Sequence, residues 1–305
     1  MRALVALLLL LSLPAAAQTV PPVVKEGKTV RISEHVHVIL DELVPAVPNV
    51  GIVVGSKATM VVDPGMGRRN GEAVLREARK LSRNTEFYIV TTHFHPEHAT
   101  GEAGFPPEAK VIRAAAQQQD IEELGMQWVQ TFASRSPAWA EQLQGITGFR
   151  RPTELFEGET SVDLGDVRVR LLRLGPGHTR GDTVFFVEQD RILFSGDLAM
   201  SGVFPAFATP QSLSATWIAS LDTMDKLGAL RLVPAHGPLA DASIIGQYRG
   251  YLAALRARVG ELKRAGKSAA ETVDAVRAEF PPKYPDWLQP LRIVSAANAI
   301  YAELP

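Results

Sequence analysis

The sequence predicts an α/β fold in which helices cover β-sheets. Short apolar segments of β type alternate along the chain with longer segments whose apolar residues recur at helical spacing. Several β-type segments end directly in aspartate or histidine, which indicates that polar groups collect at one edge of a sheet. Hydrophobic residues make up 46% of the chain, and no Pro/Gly/Ser-rich linker divides residues 29–305, so we expect a single domain there.

The first residues predict a cleaved secretory signal. Arg2 precedes an apolar run at 3–13, and the small residues Ala15–Ala17 provide a cleavage site before Gln18. This run is too short for a membrane anchor, since about 20 apolar residues are needed to span a bilayer. We therefore expect a signal peptide at 1–17, a polar linker at 18–28 and an exported, periplasmic protein.

The expected elements follow one another in a regular order. Three β-type segments form a meander that closes on Asp63, and the next segment is a helix with Asn70 as its cap. The predicted strands are 29–40, 51–55, 58–62, 86–92, 110–113, 161–164, 167–174, 183–188, 191–194 and 231–233. The predicted helical segments are 70–82, 114–143 as one or two helices, 210–227 and, with breaks, 239–305.

Charge and cysteine content restrict the possible partners and chemistry. The formal net charge is −1 and no run of like charges occurs, so nothing predicts a nucleic-acid partner or an anionic membrane surface. The chain has no cysteine, which excludes disulfides and leaves His, Asp, Glu and backbone groups as the metal ligands. We expect a small-molecule substrate and no stable membrane anchor, and the oligomeric state is not predicted.

Three of the seven histidines lie in the stretch HFHPEH at 93–98, directly after a predicted strand. His93 and His95 would face the same side of an extended chain, and Pro96 favours a helical turn that places His98 on one face with His95. Imidazole and carboxylate groups at this spacing suit Zn, Fe, Ni or Mn. A solvated loop is the alternative interpretation of this stretch alone.

Other strand ends supply further donors. His178 lies in the glycine-rich loop GPGHTRGD at 175–182, Asp197 ends the segment SGD, and His236 lies in AHG. Strand ends at one edge of a sheet are where distant parts of a chain meet. Five of the seven histidines occupy such positions, and together they favour a metal site over a solvated loop.

These motifs, in this order and preceded by VVDPG at 61–65, resemble the metallo-β-lactamase superfamily over residues 29–238. The resemblance implies an αββα sandwich with a metal site of one or two ions at one edge, zinc being expected and Fe or Mn possible. The implied ligands of the first ion are His93, His95 and His178. Those of the second ion are Glu97, His98 and His236, with Asp197 bridging the two ions and Asp63 bracing the site.

Glu97 departs from the superfamily pattern, which has aspartate at that position. The extra methylene displaces the carboxylate by about 1 Å, which is comparable with the precision that a reactive site requires. Three alternatives remain open: Glu97 binds metal after a rotamer change, it acts only as a base on the bound water, or the site is effectively mononuclear. We treat Glu97 and Asp197 as the candidate catalytic residues.

The absence of cysteine separates the chain from β-lactamases that use a cysteine ligand. The chain is more similar to glyoxalase II-like hydrolases, to β-lactamases without that cysteine and, over residues 208–239, to exported quinoprotein-relay metallohydrolases. Metal coordination lowers the pKa of water from about 15.7 to about 7, which would give a hydroxide that cleaves an ester, thioester or β-lactam amide. The alternative is a metal-binding accessory protein of the same fold with little or no catalysis.

Several other side chains have two interpretations each. His35 and His37 are expected at the surface rather than as ligands, and Arg180 is expected to be solvated rather than to bind an anionic substrate. Aromatic residues in two segments could wall the substrate pocket or form a lid, with core packing as the alternative. These aromatic residues are Phe204, Phe207 and Trp217 in one segment and Trp128, Phe132 and Trp139 in the other.

Overall fold

Two facing β-sheets with helices on their outer faces make up the part of the chain that the structure, a computed structural model, describes, residues 20–305. The expected signal at 1–17 and the first residues of the expected linker lie outside the described residues. The predicted αββα sandwich is confirmed. In the described part, the helices are not long and apolar enough to cross a bilayer.

The first sheet has the strand order β1-β2-β3-β4-β5-β6-β7, and its first four strands form the predicted antiparallel meander. Parallel pairing from β4 to β7 follows, with helical segments as crossovers. The strands are β1 (Thr29–Arg31), β2 (Val36–Ile39), β3 (Val50–Val54), β4 (Ala58–Val62), β5 (Glu86–Val90), β6 (Lys110–Ala114) and β7 (Glu154–Phe156).

The second sheet has the order β13-β12-β11-β10-β9-β8 and is antiparallel except for the parallel pair β11–β12. Its strands are β8 (Glu159–Asp163), β9 (Arg168–Arg173), β10 (Thr183–Val187), β11 (Ile192–Gly196), β12 (Arg231–Pro234) and β13 (Ala240–Asp241). The short strands β7 and β13 have too few residues to show a periodic pattern, and the sequence did not predict them.

The α-helices are α1 (Gly67–Leu81), α2 (Pro96–Ala99), α3 (Ala115–Asp120), α4 (Met126–Ala133), α5 (Pro137–Gln142), α6 (Ser214–Lys226), α7 (Ser243–Arg264), α8 (Ala269–Glu279) and α9 (Arg292–Glu303). A π-helical segment at Ile121–Gly125 joins α3 to α4, and 3-10 turns cover Thr100–Gly104 and Pro281–Lys283. The predicted helices are confirmed in the main, although 114–143 divides into more pieces than expected, the helix expected from residue 210 begins at Ser214, and residues 240–241 of the expected helical region form β13.

Three layers of apolar side chains hold the sandwich together. Met60 and Val90 of the first sheet meet Phe185 and Phe194 of the second sheet in the central layer. One outer layer lies between the first sheet and α1, and the other lies between the second sheet and α6 to α9. Removal of this apolar area from water, at roughly 25 cal/mol per Å², is the main favourable contribution to folding.

Two local expectations are wrong. The segment 29–40 is not one strand, because the amide of Ile32 donates to the carbonyl of Val36 at 3.0 Å and closes a turn between β1 and β2. Asn70 lies inside α1, whose N-cap residue is Met66. The Asn70 side chain instead binds the chain that precedes β1: it accepts from the amide of Val24 at 2.9 Å and donates to the carbonyl of Pro22 at 2.7 Å.

The strand order brings several strand ends to one edge of the sandwich. β4 and β5 are parallel and end before Asp63 and Thr92, while β11 and β12 are parallel and end at Gly196 and Pro234. The two sheets are joined at this edge, because the amide of Thr183 donates to the carbonyl of Thr92 at 2.8 Å. The predicted metal-site residues follow these strand ends.

At Gly71, α1 packs closely against the loop that follows the histidines. A Cβ atom at Gly71 would lie 1.8 Å from the carbonyl oxygen of Gly101, which is backbone and cannot rotate away. We expect Gly71→Ala to lower the free energy of unfolding by about 1–3 kcal/mol. Urea denaturation measures this change.

Gly250→Ala in α7 is the matched control, because a Cβ atom there would have no heavy atom within 4 Å. Since alanine favours a helix over glycine, we expect Gly250→Ala to raise the free energy of unfolding by roughly 0.5–1 kcal/mol. Equal effects of the two substitutions would contradict the close packing of α1.

Candidate metal centre

Three imidazoles from two distant segments form the first group of converging donors. His93 Nε2 lies 3.0 Å from His95 Nδ1, and His178 Nε2 lies 3.2 Å from the same atom. All three side chains are buried. These nitrogens also lie within 4.8 Å of one another, which is the separation expected for ligands of a single cation.

The local sequence explains why the first two histidines converge. β5 ends at Val90 and the chain bends over residues 92–95, so the predicted extended stretch is not present there. His95, whose own backbone angles are extended, is the N-cap of α2, and Pro96 takes the first helical position as predicted. The hydroxyl of Thr100 donates to the carbonyl of Pro96 and holds the short helix closed. His98 therefore lies one turn beyond His95 and points to a second group of donors.

The second group contains a carboxylate and two imidazoles. Ligand atoms of Glu97, His98 and His236 lie within 4.8 Å of one another. Asp197 lies between the two groups: one carboxylate oxygen is 3.5 Å from His178 Nε2, and the other is 3.8 Å from His236 Nε2 and 4.0 Å from His98 Nε2. The structure therefore brings together all seven residues that the sequence placed at the site.

Hydrogen bonds on the far side of the rings fix how two of these imidazoles present their nitrogens. Nδ1 of His178 donates to the carbonyl of Ala206 at 2.6 Å, and Nδ1 of His236 donates to the carbonyl of Val47 at 3.0 Å. Because a carbonyl oxygen only accepts, each Nδ1 carries the proton and each Nε2 keeps a lone pair for a cation.

Asp63 braces the site from behind. One oxygen accepts from the amide of Thr92 at 2.7 Å, and the other accepts from the Thr92 hydroxyl at 2.8 Å and lies 3.0 Å from His98 Nδ1. The backbone of Asp63 has φ 53°, in the left-handed region that costs roughly 1–3 kcal/mol for a residue other than glycine. Its carboxylate therefore orients His98 and the strand end and does not belong to either donor group.

The donor set fits a divalent cation. Among the described residues, Glu97 Oε2, His98 Nε2 and Asp197 Oδ1 are buried without a hydrogen-bond partner. Buried polar atoms are normally paired, since leaving one unpaired costs about 1–3 kcal/mol. A cation bound by these atoms would satisfy all three. Imidazole and carboxylate donors suit zinc, iron or manganese.

Burial and mutual repulsion keep the first group of imidazoles neutral. Burial, followed by the charges of neighbouring histidines, lowers the pKa of His93 and of His95 well below the usual range. Burial also lowers the pKa of His178, against an opposing effect of Asp197. Neutral imidazoles have free lone pairs, so this group is ready to bind a cation without first losing protons.

The second group has a different electrostatic balance. Burial opposes the charged form of His98, but Asp63, Glu97 and Asp197 together outweigh it and raise the pKa to about 9. Burial raises the pKa of Glu97. Burial also opposes the ionised form of Asp197, but its histidine neighbours outweigh that effect and lower the pKa.

A cavity of about 160 Å³ opens over the two groups. Trp128, Phe132 and Trp139 line it, and Phe132 and Trp139 are also buried, so both interpretations of this segment hold. The other aromatic residues, Phe204, Phe207 and Trp217, are buried in the core and do not line the cavity. The indole of Trp217 donates to the carbonyl of Leu198 at 2.9 Å.

Two expectations about polar residues need correction. His35 is buried and not at the surface. Its Nδ1 lies 3.0 Å from a carboxylate oxygen of Asp190. Arg180 is partly exposed but ion-paired, since its guanidinium lies 2.6 Å from Glu123 and 3.3 Å from Asp120; as expected, it does not line the cavity. His37 is half-buried and, as expected for both histidines, belongs to neither donor group.

Sequence reasoning missed two arginines that do line the cavity, Arg135 and Arg292. Arg135 follows α4, and Arg292 begins α9 in the C-terminal helical region. Neither lies in a motif, and both are far in sequence from the histidines. The aromatic residues just before Arg135 were the one available signal.

A profile of the metallo-beta-lactamase superfamily matches residues 43–236, which is more than half of the chain. The chain belongs to the metallo-β-lactamase superfamily. The predicted membership is thus confirmed, and the matched region ends at His236, the last residue of the second donor group.

Named members of the superfamily resemble the chain at low identity. A linear primary-alkylsulfatase of a Pseudomonas species is 25% identical over 207 residues, 58% of this chain and 39% of the relative. An acyl-coenzyme A thioesterase of Homo sapiens is 26% identical over 172 residues, 50% of this chain and 59% of the relative. The chain therefore spans less than two thirds of the length of either relative.

A solved structure shows the same fold over more of the chain. The inverting sec-alkylsulfatase from a Pseudomonas species superposes with a TM-score of 0.70 at 15% identity, covering 90% of this chain and 49% of that one. The similarity extends well beyond the matched superfamily region.

The pair His98–Asp63 predicts a pH dependence of the metal-free protein. The pKa of His98 is about 9 in the folded protein and about 6.5 in the unfolded chain. The pair therefore makes its full contribution to the free energy of unfolding below pH 6.5. This stabilisation is lost as pH rises towards 9. We expect imidazole NMR of the metal-free protein to show one histidine titrating near pH 9.

Asp63→Asn removes the charge but keeps the side-chain shape. We expect it to lower the pKa of His98 by about 1–3 units, since an adjacent opposite charge shifts a pKa by that amount. The pKa of His37, which burial lowers at a distance from the site, is the internal control and stays unchanged. A wild-type His98 that titrates near pH 6.5 would contradict the assigned pair.

Proposed function

We propose that this protein is an exported, zinc-dependent hydrolase that cleaves an ester, a thioester or a β-lactam-type amide. The observation that supports the proposal is the convergence of buried donors from four segments of the chain, with unpaired atoms directed at a common space. His93, His95 and His178 would hold one ion. Glu97, His98 and His236 would hold a second, and Asp197 would bridge the two.

A divalent ion in this donor set supplies a Lewis acid that polarises the scissile carbonyl and lowers the pKa of water that it binds. The protein's own groups orient the reactants. Asp197 stays ionised because the surrounding imidazoles lower its pKa, so it can accept a hydrogen bond from water. If Glu97 acts as a base rather than as a ligand, it would accept a proton from the attacking water and return it to the leaving group; burial raises its pKa, which suits this role.

The cavity supports hydrolysis of an organic substrate rather than storage of a metal alone. Trp128, Leu43 and Val203 are among its apolar walls, and the carboxylates and imidazoles lie along the same lining. A concave, largely apolar pocket with a few convergent polar groups is typical of a small-molecule site. The named activity of the human relative, hydrolysis of an acyl-coenzyme A thioester, is one of the three reactions proposed.

The alternative is a metal-binding accessory protein with little catalysis, for which Glu97 in place of aspartate is the motivating observation. The side chain nevertheless reaches the second group, with Oε1 3.9 Å from His98 Nε2. This position favours the interpretation of Glu97 as a lengthened ligand. Zinc is proposed over manganese because the donor set is rich in imidazole.

Export is proposed from the N-terminal sequence alone. Fractionation of cells that produce the full-length chain, followed by N-terminal sequencing, tests it. Protein in the periplasmic fraction beginning near Gln18 would support export, and protein in the cytoplasm with an intact N-terminus would contradict it.

The experiment that tests the hydrolase combines metal analysis with turnover. Purified protein is assayed against 4-nitrophenyl esters, acyl thioesters and a chromogenic β-lactam, before and after dialysis against a chelator. We expect one or two zinc ions per chain, hydrolysis of at least one substrate class, and loss of at least 90% of that rate on chelation with recovery on zinc addition. Hydrolysis that survives removal of all metal would contradict the proposal.

Glu97→Asp distinguishes the hydrolase from the accessory protein. If Glu97 is a fitted ligand, shortening it by one methylene withdraws the carboxylate by about 1 Å, and we expect a roughly 10- to 100-fold loss of kcat/KM and of affinity for the second ion. If the site is built not to catalyse, the same substitution would raise a negligible rate. Glu108→Asp, on the exposed surface, is the control and should leave both quantities unchanged.

A further inference from the structure

Two positive charges line the cavity over the donor groups without a carboxylate in ion-pair distance. Arg135 and Arg292 both belong to the lining, and among the residues described neither has a carboxylate oxygen within 4.0 Å. Arg113 and Arg256 are paired, since Arg113 lies 2.7 Å from Glu102 and Arg256 lies 2.7 Å from Glu303. The partly buried Arg150 and Arg173 also lack an ion pair among the described residues, but they do not line the cavity, so Arg135 and Arg292 are distinguished by their place over the donor groups.

Aromatic faces rather than carboxylates hold Arg135. Its guanidinium carbon lies 4.3 Å from the centre of the Phe132 ring and 5.3 Å from that of Trp139. Stacking of this kind fixes the plane of the guanidinium and leaves its N–H donors free. Burial lowers the pKa of Arg135, and the charge of Arg292 acts in the same direction, which places the two positive charges in each other's field.

Carbonyl and thioether groups hold Arg292 at the cavity. Its Nη1 donates to the carbonyl of Phe204 at 3.1 Å and lies 3.9 Å from the sulfur of Met200. Neither neighbour carries a charge, so the arginine keeps its full positive charge at the cavity. Because Arg292 is the first residue of α9, the helical C-terminal region supplies this group to the site.

The nearest negative charges are the candidate ligands themselves. The carboxylate of Glu97 acts on Arg135, and that of Asp197 is influenced by Arg292, although both lie beyond ion-pair distance. A cation held by Glu97 and Asp197 would take up their negative charge. Asp41 also lines the cavity, but its oxygens accept from the amides of Leu43 and Gly237 and it forms no ion pair with either arginine. The two arginines would then lack a carboxylate within ion-pair distance, and holding unpaired charges away from water is costly.

We propose that Arg135 and Arg292 bind an oxyanion group of the substrate, so that the compound cleaved is an anionic ester or thioester rather than a neutral one. The group is a carboxylate or a tetrahedral oxyanion of sulfur or phosphorus, because a guanidinium donates two parallel hydrogen bonds to each of these. This inference rests on the proposed hydrolase and names its substrate class. The two arginines select the substrate and take no part in bond cleavage.

The kinetic test compares substrates that share a leaving group and differ in charge. The zinc-loaded protein is assayed with the 4-nitrophenyl esters of butyric acid, of succinic acid with one carboxylate free, and of 3-sulfopropionic acid. We expect the wild type to have a higher kcat/KM for an anionic ester than for the butyrate ester. Whichever anionic ester has the higher kcat/KM shows whether the site prefers a carboxylate or a sulfonate. Equal kcat/KM for all three esters would contradict the proposal.

Substitutions assign that preference to the two arginines. We expect Arg135→Gln and Arg292→Gln each to reduce the ratio of anionic to neutral kcat/KM by roughly 10- to 100-fold, mainly through KM, as expected for the loss of a charged hydrogen bond. Arg135→Lys keeps the charge and should recover part of the ratio. Arg277→Gln, exposed on α8 and outside the cavity, is the control that should leave the ratio unchanged. Unchanged ratios in both cavity variants would contradict the proposal.

A binding measurement separates this inference from the hydrolase itself. Calorimetry of the zinc-loaded protein with N-methylsuccinamate, which has no ester bond, and with inorganic sulfate needs no turnover. We expect binding of at least one anion by the wild type and by Arg277→Gln, with affinity about 10-fold weaker in each cavity variant. Anion binding without hydrolysis of any ester would contradict the hydrolase alone, whereas hydrolysis without a charge preference or anion binding would contradict the anion site alone.

Discussion

Five imidazoles and two carboxylates share a small volume that is largely removed from water, and this desolvation is the constraint on which the rest of the site depends. Burial lowers the pKa of His93 and of His95, whereas the positive charges that neighbouring histidines and Arg292 carry lower the pKa of Asp197. Without a cation, Glu97 Oε2 and His98 Nε2 remain buried and unpaired in the described structure. A bound divalent ion would pair both atoms and remove the free-energy cost of leaving each one buried without a partner. Folding and metal binding are therefore expected to be coupled.

The fold serves this constraint by ending several strands at a common edge and by supporting each imidazole from behind. Asp63, Ala206 and Val47 contact the far nitrogens of three different histidines, and they come from three separate loops. Such contacts orient the lone pairs before any ion arrives. The helical segments then enclose the open side, with aromatic rings along one wall and Arg292 at the start of α9 along another.

Much of this could be predicted because strong local patterns coincide with the chemistry. The predicted strand 86–92 precedes HFHPEH, although β5 itself ends at Val90, and proline in the first helical turn makes the direction of His98 predictable. The role of Asn70 could not be predicted, because its partners before β1 are joined to it only by tertiary packing. Arg135 and Arg292 were missed for the same reason: nothing in their local sequence marks them, and only the folded chain places both at one cavity.

The most direct test of the central claim is X-ray diffraction from crystals grown with zinc, recorded on both sides of the zinc absorption edge. We expect an anomalous peak among His93, His95 and His178, and a second peak beside His98 and His236 if Glu97 completes that group. Peaks confined to surface histidines, or the absence of any peak among the buried imidazoles, would contradict the claim that these side chains are arranged around a shared cation.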